Sequence, residues 1–465
     1  MNQINERRVS IILFSFFSSW QLAFPFQGQI LYALADYHHI SAEGFVFGAI
    51  AAILAGLLLS GTIIKTIFMA KRLMQISVAY CIVASGVFFL SPSFLWFIGL
   101  LTVSLLTGSC VAAWGFYFKR YTLKNERTKT AADVLIYSNI LMILLNIAAL
   151  HISPRIGLGL SMLMLGAAFL FLLRLPETAE ATDSIYHEHV VNPVSIVNPL
   201  ALLCLFIVVI TINSGLMYQV INPAFKHLGW LTSWYWATPY IISIYIMSKL
   251  SKKTNCAYIL NIAIAMIGFS FILFMLFDRS AWSYIIINTL MLGACGIFDL
   301  FWWSILGEML DLDNNPAKVF GIGLSANVLG VLLGGLIGKA ITASDIQSPN
   351  TTLLALGVVC ITLVLLPLLQ KSLLFLLKEH AFLTMIYEIP PNKQNNIIRD
   401  FTLSGQLTER EGEIAALLLM GKTYRIIAEE LHLSKNTVKT HVKNIYSKTG
   451  VQNRTELINR VLKIE

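Results

Sequence analysis

Apolar runs of about 20 residues, the length that crosses hydrocarbon as a helix, recur twelve times along the chain. The first six are 9–34, 44–68, 73–90, 94–118, 131–150 and 156–175. The second six are 199–221, 230–247, 256–277, 281–306, 317–341 and 352–377. Between the groups lies the polar stretch 176–198, which reads as a central loop. The pattern predicts an all-α protein: a polytopic transmembrane bundle over 1–377 with six-helix halves at 1–175 and 199–377. Beyond Leu377 the periodicity changes. A polar linker, 378–405, leads into 406–465, where short amphipathic segments predict a small four-helix domain.

Composition agrees with this division. Only 12% of the 465 residues are charged, against about 25% in soluble domains. The last 60 residues nevertheless hold 17 of the 58 charges. Arg7 and Arg8 precede an apolar run with no A-x-A-like cleavage site, so that run is read as a membrane helix. The six cysteines lie in or beside apolar runs, with no C-x-x-C pair or adjacent histidine, and read as packing residues. No metal site, cofactor site, phosphate loop or nucleophile–base pair emerges, so an enzyme is not expected.

Lysine and arginine in short loops orient the spans. With the N-terminus inside, fifteen fall on the cytoplasmic side, among them Lys71, Arg72, Lys119, Arg120 and Arg127. Four, Arg155, Lys226, Arg279 and Lys339, fall on the other. An even number of spans then places both termini in the cytoplasm.

An ionisable residue in mid-span costs about 2.5 to 3.5 kcal/mol or more on insertion scales and faces a cavity or a partner. Asp299 is the clearest case, read either as lining a ligand cavity, as an internal polar contact, or as lying near the cytoplasmic end. Pro25 and Pro223 interrupt spans one and seven, and interrupted helices in corresponding positions point to a central site. The candidate ligand cavity is Gln21, Gln27, Asn213, Gln219 and Asp299, against the alternative of ordinary polar packing between helices. Trp230, Trp234 and Trp236 open a span and read as interface anchors.

The halves look related. Gly108-Ser109-Cys110 and Phe116-Tyr117-Phe118 recur 185 residues later as Gly293-Ala294-Cys295 and Phe301-Trp302-Trp303, and Lys71-Arg72 recurs 181 residues later as Lys252-Lys253. Two parallel six-helix repeats resemble the major facilitator transporters. That superfamily's G-x-x-x-D-R-x-G-R-R loop keeps its terminal basic pair here but lacks its Asp in both copies, a departure that bears on the transport cycle.

In the C-terminal segment, Thr408 with Glu411 forms a capping box opening a helix that ends at Gly421. A short helix follows Thr423. Ser434 caps a third, running to Thr449 and closed by Gly450, with Val438, Val442, Ile445 and Tyr446 on one face. Its outer face carries Lys439, Thr440 and Lys443, with Lys435, Asn436 and Thr437 in the first turn. Four lysines and no acid between Lys435 and Lys448 suit the phosphates beside a major groove.

The succession T-E-R-E-G-E-I, G-K-T-Y-R-I-I-A-E-E-L-H-L-S, K-N-T-V-K-T-H-V-K-N-I-Y-S-K-T-G-V and N-R-T-E-L resembles the LuxR-type helix-turn-helix family from Gln406 to about Lys463. The resemblance implies double-stranded DNA as a partner. Lys439, Thr440 and Lys443 would meet base edges, Thr437, Ser434 and Tyr424 phosphates, with Lys435, Asn436 and His441 completing the DNA-facing set. It also implies a last helix, capped by Asn453, that pairs two copies through Leu457, Ile458 and Val461. Gly412 within the first helix and Thr449 in place of Leu depart from the family pattern.

Together these readings predict a bacterial cytoplasmic (inner) membrane protein, multi-pass in the lipid bilayer: a membrane-bound one-component transcriptional regulator. Its transporter-like domain senses an unknown small-molecule ligand or a membrane state. The alternative is a secondary transporter with a fused regulatory DNA-binding tail.

Overall fold

A computed structural model describes residues 3–176, 197–250, 256–310, 313, 315–342, 350–388, 401, 406–419, 424–451, 456–457 and 460. Its described elements are helical. By contact the chain divides into two compact units, residues 1–178 with 200–367, and residues 179–199 with 368–465.

The first unit is a bundle built from α1 (Gln3–Ala23), α2 (Gln29–Tyr37), α3 (Glu43–Ile63), α4 (Ile67–Ser85), α5 (Phe94–Tyr121), α6 (Arg127–His151) and α7 (Pro154–Arg174). It continues with α8 (Val197–Leu216), α9 (Thr238–Lys249), α10 (Cys256–Leu276), α11 (Ala281–Met309), α12 (Pro316–Thr342) and α13 (Asn350–Glu388), the last belonging to this unit up to Pro367 and to the second from Leu368. Among the described residues, ten helices are long and apolar enough to cross a membrane. The first and eighth apolar windows are broken instead. After α1 the chain turns at Pro25, and Gln27 takes a left-handed φ of 51° before α2 begins. Proline supplies no backbone donor, and Phe26 N–H turns back to the Gln21 carbonyl. In the eighth window, short turns at Gly229–Thr232 and Tyr235–Ala237 precede α9, which has Pro239 in its first turn, where a missing N–H costs least.

Helix limits follow local chemistry. Thr66, Ser93 and Ser280 cap α4, α5 and α11 by accepting backbone N–H donors. Lys71, buried, donates from Nζ to the Leu175 carbonyl at 2.6 Å, neutralising the C-terminal end of α7.

Helices in an apolar solvent gain nothing from excluding water between them, so close approach through small residues replaces the hydrophobic effect. Gly56 and Gly108 face each other's helices: a Cβ at Gly56 meets the Leu105 carbonyl, and one at Gly108 meets the Ile53 carbonyl. Their reciprocal contact sets the spacing of α3 and α5. Aromatic rings join the two halves, with Phe14 stacked on Trp114 at 4.0 Å and Trp114 reaching Trp303 at 6.1 Å.

The second unit contains α14 (Glu409–Leu419), α15 (Tyr424–Glu430) and α16 (Lys435–Thr449) around Ile414, Leu418, Ile427, Val438, Val442 and Ile445. Phe401, expected in the linker, is buried in the same core. The capping box is formed: Thr408 N–H donates to Glu411 Oε2 at 2.9 Å, and Glu411 N–H donates to Thr408 Oγ1 at 3.3 Å. Lys448 Nζ adds a contact of 2.6 Å to the same carboxylate, tying the start of α14 to the end of α16. Thr449 is buried, and its hydroxyl is satisfied by the Ile445 carbonyl at 2.7 Å. Gly421 and Asn453 lie outside the described residues.

Two outcomes follow. Gly108→Leu forces α3 and α5 apart against backbone and should cost about 3 kcal/mol. Gly166→Leu, with nothing within 4 Å of the added Cβ, should be near neutral. Heat challenge followed by size-exclusion of the detergent-purified protein measures both, and equal losses would refute the contact.

Burial pushes the Glu411 carboxyl up, but Lys448 and both Thr408 hydrogen bonds outweigh it and hold the group below its usual 4.5. A depressed folded pKa contributes stability above the unfolded value and loses it as pH falls through the folded value. In a fragment beginning before Phe401, Glu411→Ala should therefore cost about 1 to 2 kcal/mol at neutral pH. The difference from wild type should close below pH 4.5, as followed by thermal denaturation with circular dichroism.

Candidate functional site

In the second unit, α16 presents the basic face. Val438, Val442, Ile445 and Thr449 recur at helical spacing and are buried, which turns Lys435, Asn436, Lys439, Thr440 and Lys443 to solvent. Ser434 accepts the Thr437 N–H at 3.0 Å, and the two hydroxyls share a further hydrogen bond at 2.8 Å. The Thr440 hydroxyl donates to the Asn436 carbonyl at 3.1 Å, so its oxygen remains an acceptor. His441 is half-buried, and Tyr424 lines a shallow groove with Lys439, Lys443 and Tyr446. All nine residues expected to face DNA thus lie on α16, at its cap, or, for Tyr424, at the start of α15.

The turn before this helix carries a feature that sequence reading missed. His432 adopts a left-handed φ of 52°, Leu431 N–H returns to the Ile427 carbonyl at 3.0 Å, and Leu433 N–H returns to the Ala428 carbonyl at 2.8 Å. This is a Schellman closure of α15, usually made by glycine. Arg410 reinforces it by donating to the Leu431 carbonyl at 2.6 Å.

Leu457, expected on the pairing surface, is fully buried in the unit's own core. Amphipathic spacing shows that a face is apolar without saying what covers it. Ile458 and Val461 lie outside the described residues.

In the first unit, a cavity of about 190 Å³ lies between the halves. Of the five polar residues expected there, Gln21 and Asp299 line it. Gln27 and Asn213 are buried elsewhere, and their side-chain amides find no hydrogen-bond partner among the described residues. Gln219 packs against Gly335 and Gly338 of α12. Helix spacing alone does not distinguish these inward directions. Asp299 is held by Tyr240, whose hydroxyl donates to Oδ2 at 2.6 Å. One turn earlier on α11, Gly296 allows α9 to approach: a Cβ there stands 2.7 Å from the Tyr240 carbonyl.

Ser138, Asn139, Asn327, Tyr218 and Trp236 also line the cavity, outside the five residues expected there. Asn139 and Asn327 carried a readable signal as amides within long apolar runs. Trp230 and Trp234 are exposed, as suits interface anchors, whereas Trp236 turns inward to the cavity. The irregular backbone adjoins this space: Gln21 and Phe26 flank the break after α1, and Met217 and Tyr218 belong to one turn of π-helix, Met217–Ile221, just before Pro223. Such bulges recur at functional sites.

Hydrogen bonds join the halves at both ends of the bundle. At one end Arg127 Nη1 donates to the Gly307 carbonyl at 2.8 Å, Lys119 Nζ to the Asp313 carbonyl at 3.1 Å, and Asn315 Nδ2 to the Gly61 carbonyl at 2.9 Å. At the other, Lys226 pairs with Asp36 at 2.9 Å with both side chains exposed, an arrangement that contributes little, and His151 Nε2 and Ser233 Oγ share a part-buried hydrogen bond at 3.1 Å.

Residues 405–461 match the family model described as bacterial regulatory proteins, luxR family. Over 54 residues the chain is 48% identical to the monoamine regulon transcriptional regulator of Klebsiella aerogenes, covering 12% of this chain and 24% of that protein. Over 71 residues it is 41% identical to the response regulator protein VraR of Staphylococcus aureus, covering 15% and 34%. The chain thus spans between a quarter and about a third of the length of these curated relatives. The human organic anion transporter MFSD10 superposes with a TM-score of 0.59 at 14% identity, over 78% of this chain and 99% of that one. The major facilitator proton:xylose symporter XylE superposes with a TM-score of 0.61 at 12% identity, over 79% and 95%. At such identities the likeness shows the fold alone. The chain therefore joins a multi-pass membrane domain of the major facilitator fold to a C-terminal DNA-binding domain of the LuxR family.

Proposed function

We propose that this protein is a membrane-bound one-component transcriptional regulator of the bacterial cytoplasmic membrane, with both termini in the cytoplasm. The carrying observation is the exposed Lys435, Lys439 and Lys443 on a capped helix of a LuxR-family domain, in the same chain as a membrane unit of transporter fold. The cavity between the halves is the proposed sensing site, with Asp299 and Gln21 among its polar groups. A ligand shifts such a device only by its difference in affinity for two states, and a site shared by two halves that rock supplies that difference. Pairing of two copies on DNA through Ile458 and Val461 is part of this proposal, with Leu457 contributing to the unit's own core. The second reading, a transporter with a regulatory tail, is favoured by the cavity's position between the halves. Accumulation of labelled ligand in vesicles distinguishes the two, since a sensor binds without accumulating.

Lysine on a base edge and lysine on a phosphate fail differently. Lys439→Ala should change sequence preference by about 1 to 3 kcal/mol at one position, whereas Lys435→Ala should weaken all sequences alike and reduce the salt slope by about one. Binding to a randomised DNA pool at several salt concentrations measures both, and unchanged binding in both variants would remove α16 from the groove.

The excess of basic residues in one set of loops predicts the orientation. A reporter active only outside the cytoplasm, fused after Leu377, should stay silent. Activity there would place the DNA-binding domain on the wrong side and end the regulator reading.

A further inference from the structure

Asp299 is the only charged residue lining the cavity among the described residues; no lysine, arginine or histidine faces it there. Its sole hydrogen bond is from the Tyr240 hydroxyl to Oδ2, so Oδ1 accepts none from the described residues. Desolvating a carboxylate without a counter-charge is costly, and a neutral phenol donor offsets only part of that cost. The rest of the wall is largely apolar and aromatic. Tyr218 and Trp236 stand edge to face with ring centroids 6.3 Å apart, and Trp303 lines the same space. Aromatic faces carry negative potential that attracts organic cations, most strongly where water is excluded. A cavity of about 190 Å³ is smaller than the roughly 300 Å³ at which drug-sized sites begin, which limits the occupant to about ten heavy atoms.

From the lone carboxylate, the ring-lined wall and the volume, we infer that the cavity binds a small organic cation, an ammonium head paired with Asp299 Oδ1 and seated against Trp236 and Tyr218. The inference deepens the sensing site proposed above and rests on that reading for its regulatory meaning. The binding itself stands apart from it. The competing possibility, a neutral ligand hydrogen-bonded to a protonated Asp299, makes a different demand. It predicts no preference for charge.

The test uses three molecules of nearly equal shape on the full-length purified protein: choline, its neutral carbon analogue 3,3-dimethylbutanol, and the anion 3,3-dimethylbutanoate. Benzyltrimethylammonium serves as a second cation with an aromatic body. Isothermal calorimetry should show saturable binding of at least one cation, at least tenfold tighter than the neutral and anionic analogues. Asp299→Asn should abolish the preference for charge while leaving the weak binding of the neutral analogue in place. Equal affinity across the series, preference for the neutral or anionic molecule, no saturable binding of either cation, or an Asp299→Asn protein that keeps the cation preference would each overturn the inference. The wild-type comparison decides the matter even if the variant fails to fold. A DNA gel shift on the same preparation separates the two claims: DNA binding without cation preference removes this inference alone, and cation binding without DNA binding removes the regulator reading alone.

Discussion

Inside hydrocarbon no water can satisfy a backbone N–H or C=O, so each must be satisfied within the protein, and the membrane unit is built around that requirement. It makes long helices the default and makes every break in them a statement about what lies beside it. The breaks fall after α1, at the π-turn Met217–Ile221 and across the turns before α9. Residues from all three regions line the cavity between the halves. The chain departs from helix where protein or an internal space receives its freed backbone groups.

The same scarcity of partners governs side chains. Lys71, Lys119, Arg127 and Asn315 donate to backbone carbonyls at Leu175, Asp313, Gly307 and Gly61. These are carbonyls at or near helix ends, where the helix itself leaves acceptors unused. Three of the four contacts join the halves at one end of the bundle. Any relative motion of the halves would have to break these hydrogen bonds, a discrete cost instead of a smooth slide.

The DNA-binding unit follows a different logic. It is small, it stands in water, and its limits are written in local devices: the reciprocal Thr408–Glu411 cap, the Ser434 cap and the left-handed Gly450. Lys448 closing on Glu411 converts a cap of one helix into a link between two. The basic outer face of α16 is then a consequence of burying Val438, Val442, Ile445 and Thr449, since one face of a helix inward leaves the other outward.

Periodicity and caps depend on near neighbours in the chain, and those the sequence determined: the helical membrane bundle, the capping box, and the face of α16 that carries Lys439 and Lys443, while the central loop read at 176–198 lies almost wholly outside the described residues. Direction within a packed bundle depends on partners far away in sequence, and tertiary structure alone decided it. Gln21 and Asp299 reach the cavity while Gln27, Asn213 and Gln219 do not, although all five are polar residues in apolar runs. Trp236 turns in while Trp230 and Trp234 stay out. Tyr240 meets Asp299 across 59 residues because Gly296 lets two helices close. Phe401 and Leu457 enter a core from segments read as linker and pairing surface. In each case the amino-acid type states what a side chain needs, and only the packing of distant segments supplies it.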